Sequence, residues 1–186
     1  FNFTSSFTIS MWLNPDSFTN DNAPSPFDKN AATGEGYRAW LGDSGSINFR
    51  VSSGGTHYDL TSSTTLNTGK WQHLICTYNK GTQTIYLNGT KNATQTGSTL
   101  GTNNIDLAIG ARTDGVDWYN GQIDDLRIYD TALTPQQVEQ LYNLGASGST
   151  EVNPAMTGLI GWWPLHEQNG TTAHDLSGNN NHGTLN

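Results

Sequence analysis

Phe7, Ile9, Met11 and Leu13 share one phase of a seven-residue run, and Thr8, Ser10 and Trp12 share the other. A period of two belongs to a β-strand with one face on a core. The same habit recurs along the chain and confines it to folds made of many short strands. Strands are expected at Tyr37–Leu41, Ile47–Ser52 and Thr56–Leu60, with turns at Asp43–Gly45 and Gly54–Gly55 between them. Trp71–Asn79 is the clearest core strand, and Lys80–Gly81 turns it into Thr82–Leu87. Asn88–Gly89 accepts positive φ at both central positions of a type I′ turn, so a tight hairpin returns through Thr90–Thr96. Ile105–Gly110 and Gln122–Tyr129 complete the series. Asn14 to Thr33, carrying Pro15, Pro24 and Pro26, reads as a long polar loop with no regular element. One short helix is predicted at Pro135–Leu144, with Thr134 as cap, Pro135 at the first position, Gln137 completing a capping box and Gly145 as the stop.

Composition narrows the function classes. The 186 residues suffice for one sandwich with a core of useful size. Charged residues make up 13%, too few for a solvated helical enzyme, whereas 10% aromatic residues spread over regular runs exclude disorder. A net charge of −8 argues against a nucleic-acid surface and leaves carboxylates for divalent cations. The single cysteine, Cys76, lies in an alternating strand and reads as a buried small hydrophobe. The sequence contains no membrane-spanning run. It opens on Phe1, which suggests a piece of a longer or processed protein.

Five blocks carry a resemblance: FTISMWLNP at Phe7–Pro15, GKWQHLICTYN at Gly69–Asn79, TIYLNGT at Thr84–Thr90, GQIDDLRIYDTALTPQQVEQLY at Gly121–Tyr142, and GLIGWWPLHEQNGTTAHDLSGNNNHGTLN at Gly158–Asn186. In this order the first four resemble the middle and end of the laminin-G-like, concanavalin A-like β-sandwich family. The fifth resembles that family's opening segment, displaced to the end of the chain. The resemblance implies an all-β fold: a two-sheet antiparallel jelly-roll sandwich, concanavalin A-like, with one short C-terminal helix. It divides the chain into a sandwich lacking its first strands (1–144), a linker (145–157) and the family-opening strand segment (158–186). That segment can fold back into its own sandwich, fill a vacancy in a neighbouring copy, or begin a second, truncated domain.

Candidate sites follow from residue chemistry. Hard divalent cations take several oxygens from carboxylates, amides and turn carbonyls, and the turn Asp175 to Asn181 offers such a set. The resemblance implies a structural calcium between this turn and the acidic pair Asp124–Asp125, giving Asp124, Asp125, Asp175 and Asn180 as ligands. Strand phase adds that Asp124 falls in register with Leu126 and Ile128, which would bury a carboxylate. Sugar sites combine aromatic faces with amides, carboxylates and guanidinium groups; the candidates are Trp40, His57, Tyr58, Arg112, Trp118 and Tyr119. Trp12, Trp71, Trp162 and Trp163 read as packing residues.

No pair of acidic residues shows the strand spacing of a sandwich-fold glycosidase, and no strained Gly-x-Ser-x-Gly turn is present. Asn2, Asn88, Asn92 and Asn169 each open an Asn-x-Ser/Thr triplet. The expectation is a non-catalytic adhesion or carbohydrate-binding module, extracellular or on a virion surface, clamped by calcium. Its expected partners are a glycan or surface polysaccharide and neighbouring copies of itself, with no nucleic acid and no membrane insertion. The alternatives are a repeat unit assembling head-to-tail by strand donation into a filament or array, and an accessory binding module of a glycoside hydrolase.

Overall fold

A computed structural model describes residues 1–18, 23–147, 157–167 and 169–185. Residues 148–156, most of the predicted linker, and 19–22 of the Pro-containing loop lie outside the described residues. The strands are β1 (Ser6–Pro15), β2 (Phe27–Ala31), β3 (Glu35–Leu41), β4 (Ser46–Ser53), β5 (Thr56–Thr65), β6 (Gln72–Asn79), β7 (Thr82–Leu87), β8 (Thr90–Gln95), β9 (Ala108–Ile109) and β10 (Gly121–Tyr129). Helix α1 (Pro135–Ala146) follows, then β11 (Leu159–Trp163), β12 (Thr172–Ala173) and β13 (Gly183–Thr184). A six-stranded antiparallel sheet runs β11-β10-β1-β6-β7-β8 and a five-stranded one runs β5-β4-β3-β2-β9, with β12 and β13 forming a small hairpin. Two sheets and one short helix make the jelly-roll sandwich that the family resemblance implies and that the strand periods are consistent with.

The core lies between the sheets. Phe7, Ile9, Met11 and Leu13 of β1, with Leu74 and Cys76 of β6, meet Phe27, Tyr37, Phe49 and Val51 of the opposite sheet. The other face of the six-stranded sheet is covered as well. Val138 and Leu141 of α1 pack on Ile75, Tyr86, Tyr129 and Leu133, so β1 and β6 are buried on both faces. Polar residues there are partnered: Thr8 Oγ1 donates to Thr131 O (2.8 Å) and accepts the Leu133 N–H (3.0 Å), while Ser10 Oγ pairs with His73 Nε2 at 2.8 Å. Burial and the nearby Arg127 guanidinium push the His73 pKa down to about 3.

Local signals place several elements. Asn88 (φ 51°) and Gly89 (φ 76°) form the turn between β7 and β8. Thr134 and Gln137 form a reciprocal capping box at the start of α1. The helix does not stop at Gly145 but runs to Ala146. Gly145 serves for space: a Cβ there would lie 2.3 Å from Trp12 Nε1. β2 occupies part of the stretch read as structureless. Its buried Lys29 ammonium donates to Asn103 Oδ1 (3.2 Å), Asn103 O (3.4 Å) and Ile105 O, so polar residues lie inside a sheet because distant oxygens satisfy them. Trp71, expected to pack, precedes β6 and is 44% exposed.

The register of β10 against β1 shifts between Ser10 and Trp12, with Asp125 at φ 48°. This bulge reverses the phase read from sequence. Asp124 pairs with Trp12 on the helix-side face rather than sharing the core phase of Leu126 and Ile128.

Candidate functional site

Antiparallel pairing aligns the outward side chains of the five-stranded sheet in rows. Asn30, Gly36, Ser52 and His57 form one row across β2, β3, β4 and β5. Asp28, Arg38, Arg50 and Asp59 form the next, and Trp40, Asn48 and Thr61 the third. Side chains in one row are neighbours on one face. Arg50 holds Asp59 in a two-pronged pair, with Nε and Nη2 at 2.6 and 2.7 Å from its oxygens. The Arg38 and Arg50 guanidinium carbons each lie 5.0 Å from the Trp40 ring centroid, within cation–π range. Arg38 Nη2 also donates to Ser25 Oγ (2.9 Å).

A loop after β9 overhangs this face. Arg112 Nη1 donates to Asp117 Oδ2 at 2.9 Å and Nη2 pairs with Asp114; Asp117 also stands 4.0 Å from Arg38. Between loop and sheet lies a cavity of about 250 Å³ lined by Asn30, Arg38, His57, Arg112, Thr113 and Asp114. Asp28, fully buried beneath, accepts the Asn30 N–H at 2.6 Å through one oxygen, and its other oxygen has no protein partner. Burial pushes the Asp28 carboxyl above its ordinary range and lowers the neighbouring Arg38.

Three predicted sugar-binding residues, Trp40, His57 and Arg112, thus meet on one face, and Trp118 is 61% exposed on the overhanging loop. Two do not join them. Tyr58 alternates to the opposite side, packs against the core and receives the Thr99 hydroxyl (3.2 Å). Tyr119, next to the exposed Trp118, turns inward into the core, where burial pushes its phenol up. Asn30, Arg38, Arg50, Asp59 and Asp114 escaped sequence reading. Their signal was the polar phase of β2 to β5, which becomes a surface only once register is known. Cations and carboxylates interleave and pair on this face. It therefore presents donors beside acceptors, which suits hydroxyl groups that do both. Ser52 Oγ lies 2.8 Å from His57 Nδ1, but Ser52 is fully buried and serves to orient the ring.

The candidate calcium ligands are engaged otherwise. Asp175 Oδ1 accepts the N–H groups of Trp162 and Ser177 (2.8 Å each), and Oδ2 accepts Ser177 Oγ (2.9 Å) and the Asn181 N–H (2.8 Å). Burial draws this carboxyl's pKa up, but those donors outweigh it and hold it below the ordinary value. Asp125 Oδ1 accepts Arg127 Nε (2.8 Å) and the Trp162 indole (2.7 Å). Asp124 Oδ1 accepts the Asp125 N–H (2.7 Å) and lies 3.5 Å from His166 Nε2. Asn180 is an exposed turn residue at φ 58°. Among the described residues no three His, Cys, Asp or Glu side chains gather to hold a metal. Hydrogen-bond donors occupy both oxygens of Asp175 and one oxygen each of Asp124 and Asp125, so Asp175 as placed is satisfied without a cation.

Known proteins resemble this chain in sequence or in fold. A family model described as the concanavalin A-like lectin/glucanases superfamily, laminin G type, matches residues 1–139. Adhesion G-protein coupled receptor V1 of Danio rerio is 25% identical over 145 residues, 74% of this chain but 2% of the receptor. A candidate carbohydrate binding protein from Bacteroides ovatus aligns with a TM-score of 0.69 at 23% identity, covering 99% of this chain and 55% of that one. Domain 4 of an extracellular arabinanase from Geobacillus stearothermophilus, solved in complex with arabinotriose, aligns with a TM-score of 0.59 at 28% identity, covering 75% of this chain and 68% of that one. The chain therefore spans a small part of the receptor and about half of the Bacteroides protein.

Proposed function

The chain belongs to the laminin G-type family of the concanavalin A-like lectin/glucanases superfamily, and from that premise we propose that it is a non-catalytic carbohydrate-binding module. The observation that carries this reading is the outer face of the five-stranded sheet, where Asn30, Arg38, His57, Arg112 and Asp114 surround a cavity of about 250 Å³. That space suits a sugar residue or two. Mutual neutralisation of Arg50 with Asp59, and of Arg112 with Asp114 and Asp117, favours a neutral glycan over a charged one. The arabinanase domain carrying arabinotriose supports a neutral oligosaccharide.

That domain and the adhesion receptor also support an extracellular module carried by a larger protein. Among the described residues no helix is long and apolar enough to cross a membrane. Titration calorimetry against a panel of neutral and acidic oligosaccharides, arabinotriose included, tests the proposal. His57→Ala and Trp118→Ala are expected to weaken binding roughly tenfold or more while leaving the unfolding midpoint in place. Equal affinity in both variants would remove this face from the reading.

A further inference from the structure

Lys29 sits where a lysine is seldom found. It lies on β2 in the inward row of Tyr37, Val51 and Tyr58 and is 4% exposed. None of the ion pairs among the described residues includes it. Its Nζ is met instead by oxygens of the segment before β9: Asn103 Oδ1 at 3.2 Å, Asn103 O at 3.4 Å and Ile105 O. Burial lowers the pKa of this ammonium, and Asp106 offsets that only in part.

The Asn103 carboxamide is fixed at both ends. Nδ2 donates to Lys29 O (2.9 Å) and Glu35 O (2.8 Å), while Oδ1 accepts the Ile105 N–H (3.1 Å) as well as Nζ. The carbonyl carbon, one bond from Oδ1, is thus within reach of Nζ, and the Ile105 N–H stands where oxyanion charge would develop. Glu35 of β3 pairs with Ala31, which makes it the diagonal neighbour of Lys29 on the same face. Its Oε1 accepts the Gly54 N–H (2.8 Å), whereas Oε2 is buried with no hydrogen-bond partner. That carboxyl rests against Gly101, close in the chain to Asn103.

We propose that Lys29 and Asn103 condense into an intramolecular isopeptide bond, with Glu35 carrying the proton. Neutral Nζ attacks Asn103 Cγ, Glu35 moves a proton from Nζ to Nδ2, and the Cγ–Nδ2 bond breaks. One amine and one primary amide give one secondary amide and one ammonia, so no oxidant or reductant takes part. The product replaces a buried charge with a neutral amide. It ties β2 to the segment leading into β9, the edge strand of the five-stranded sheet, across seventy-four positions of chain. Such a link constrains the unfolded chain as a disulfide would, in a protein whose single cysteine, Cys76, is free.

The test uses the full chain. After incubation at neutral pH, its intact mass under denaturing conditions is expected to lie about 17 Da below the sequence mass, one ammonia. A succinimide at an Asn-Gly pair would lose the same mass, so a tryptic digest follows. The bond shields Lys29 from trypsin and joins residues 1–38 to residues 92–112 as one branched peptide. Lys29→Arg and Asn103→Ala should keep their full sequence mass and give no branched peptide. Glu35→Gln should form the branch roughly tenfold or more slowly. A wild-type chain at its sequence mass, or a mass loss without the branched peptide, overturns the inference, and that result decides alone if a variant does not fold. Branching at the wild-type rate in Glu35→Gln overturns the proton-carrying role of Glu35.

Discussion

Protonation of His73 offers a quantitative handle on the packing of α1 against the six-stranded sheet. The imidazole is buried, bonded to Ser10 through Nε2 and stacked at 5.0 Å on Trp12 and 6.0 Å on Tyr142. Its pKa lies at about 3 against 6.5 for an ordinary histidine. Between these values the unfolded chain binds a proton that the folded chain refuses. His73 therefore contributes no penalty above pH 6.5, and stability falls as pH drops from there toward about 3. The slope is about 1.4 kcal/mol per pH unit, so near pH 4.5 the loss is about 3 kcal/mol. With a urea dependence of about 2 kcal/mol per molar, the midpoint moves by about 1.5 M.

Carboxylates titrate over the same range, so the assay is a double difference. Urea unfolding of wild type and His73→Gln is compared near pH 7 and near pH 4.5. A glutamine amide does not titrate in either state, hence the acid loss of the variant should be smaller by roughly 2–3 kcal/mol. The other histidines are exposed or lie on surface turns and are common to both proteins. Acid losses agreeing within about 0.5 kcal/mol would refute the argument, and with it the dry enclosure of His73 beneath α1.

Further outcomes follow from the same structure. Added calcium or a chelator should leave the thermal midpoint unmoved within about 1 °C, since the Asp175 oxygens are already taken by N–H and O–H donors; a calcium-dependent rise of several degrees would restore the metal site. Lys29→Met leaves Asn103 and Ile105 oxygens without their donor and should cost about 2–4 kcal/mol in urea unfolding. Tyr119→Phe removes a buried hydroxyl that has no partner, and should be neutral or slightly stabilising while glycan affinity stays unchanged in calorimetry.

The periodic strands β1, β6 and β7, the Asn88–Gly89 hairpin and the capping box of α1 were all legible, because side-chain alternation and turn chemistry are local properties. β2 was not: Asp28, Lys29 and Asn30 look like loop residues until Asn103, seventy-four positions away, is placed beside Lys29. Asp124 was misread because the bulge at Asp125 changes the phase without leaving a mark in composition. Tyr119 and Trp118 are neighbours in sequence, yet the fold leaves Trp118 in solvent and takes Tyr119 into the core.

What the amino-acid order alone determines is an all-β sandwich of the concanavalin A-like kind, its tightest turn, its helix cap and most of its core phase. What only the tertiary structure decides is which polar phase becomes a surface, which face the helix covers, and where the Asp175–Asn181 turn directs its hydrogen bonds. Periods and turns are written over a few adjacent residues. Register, burial and the partners of a carboxylate are set by chain segments that meet only after folding.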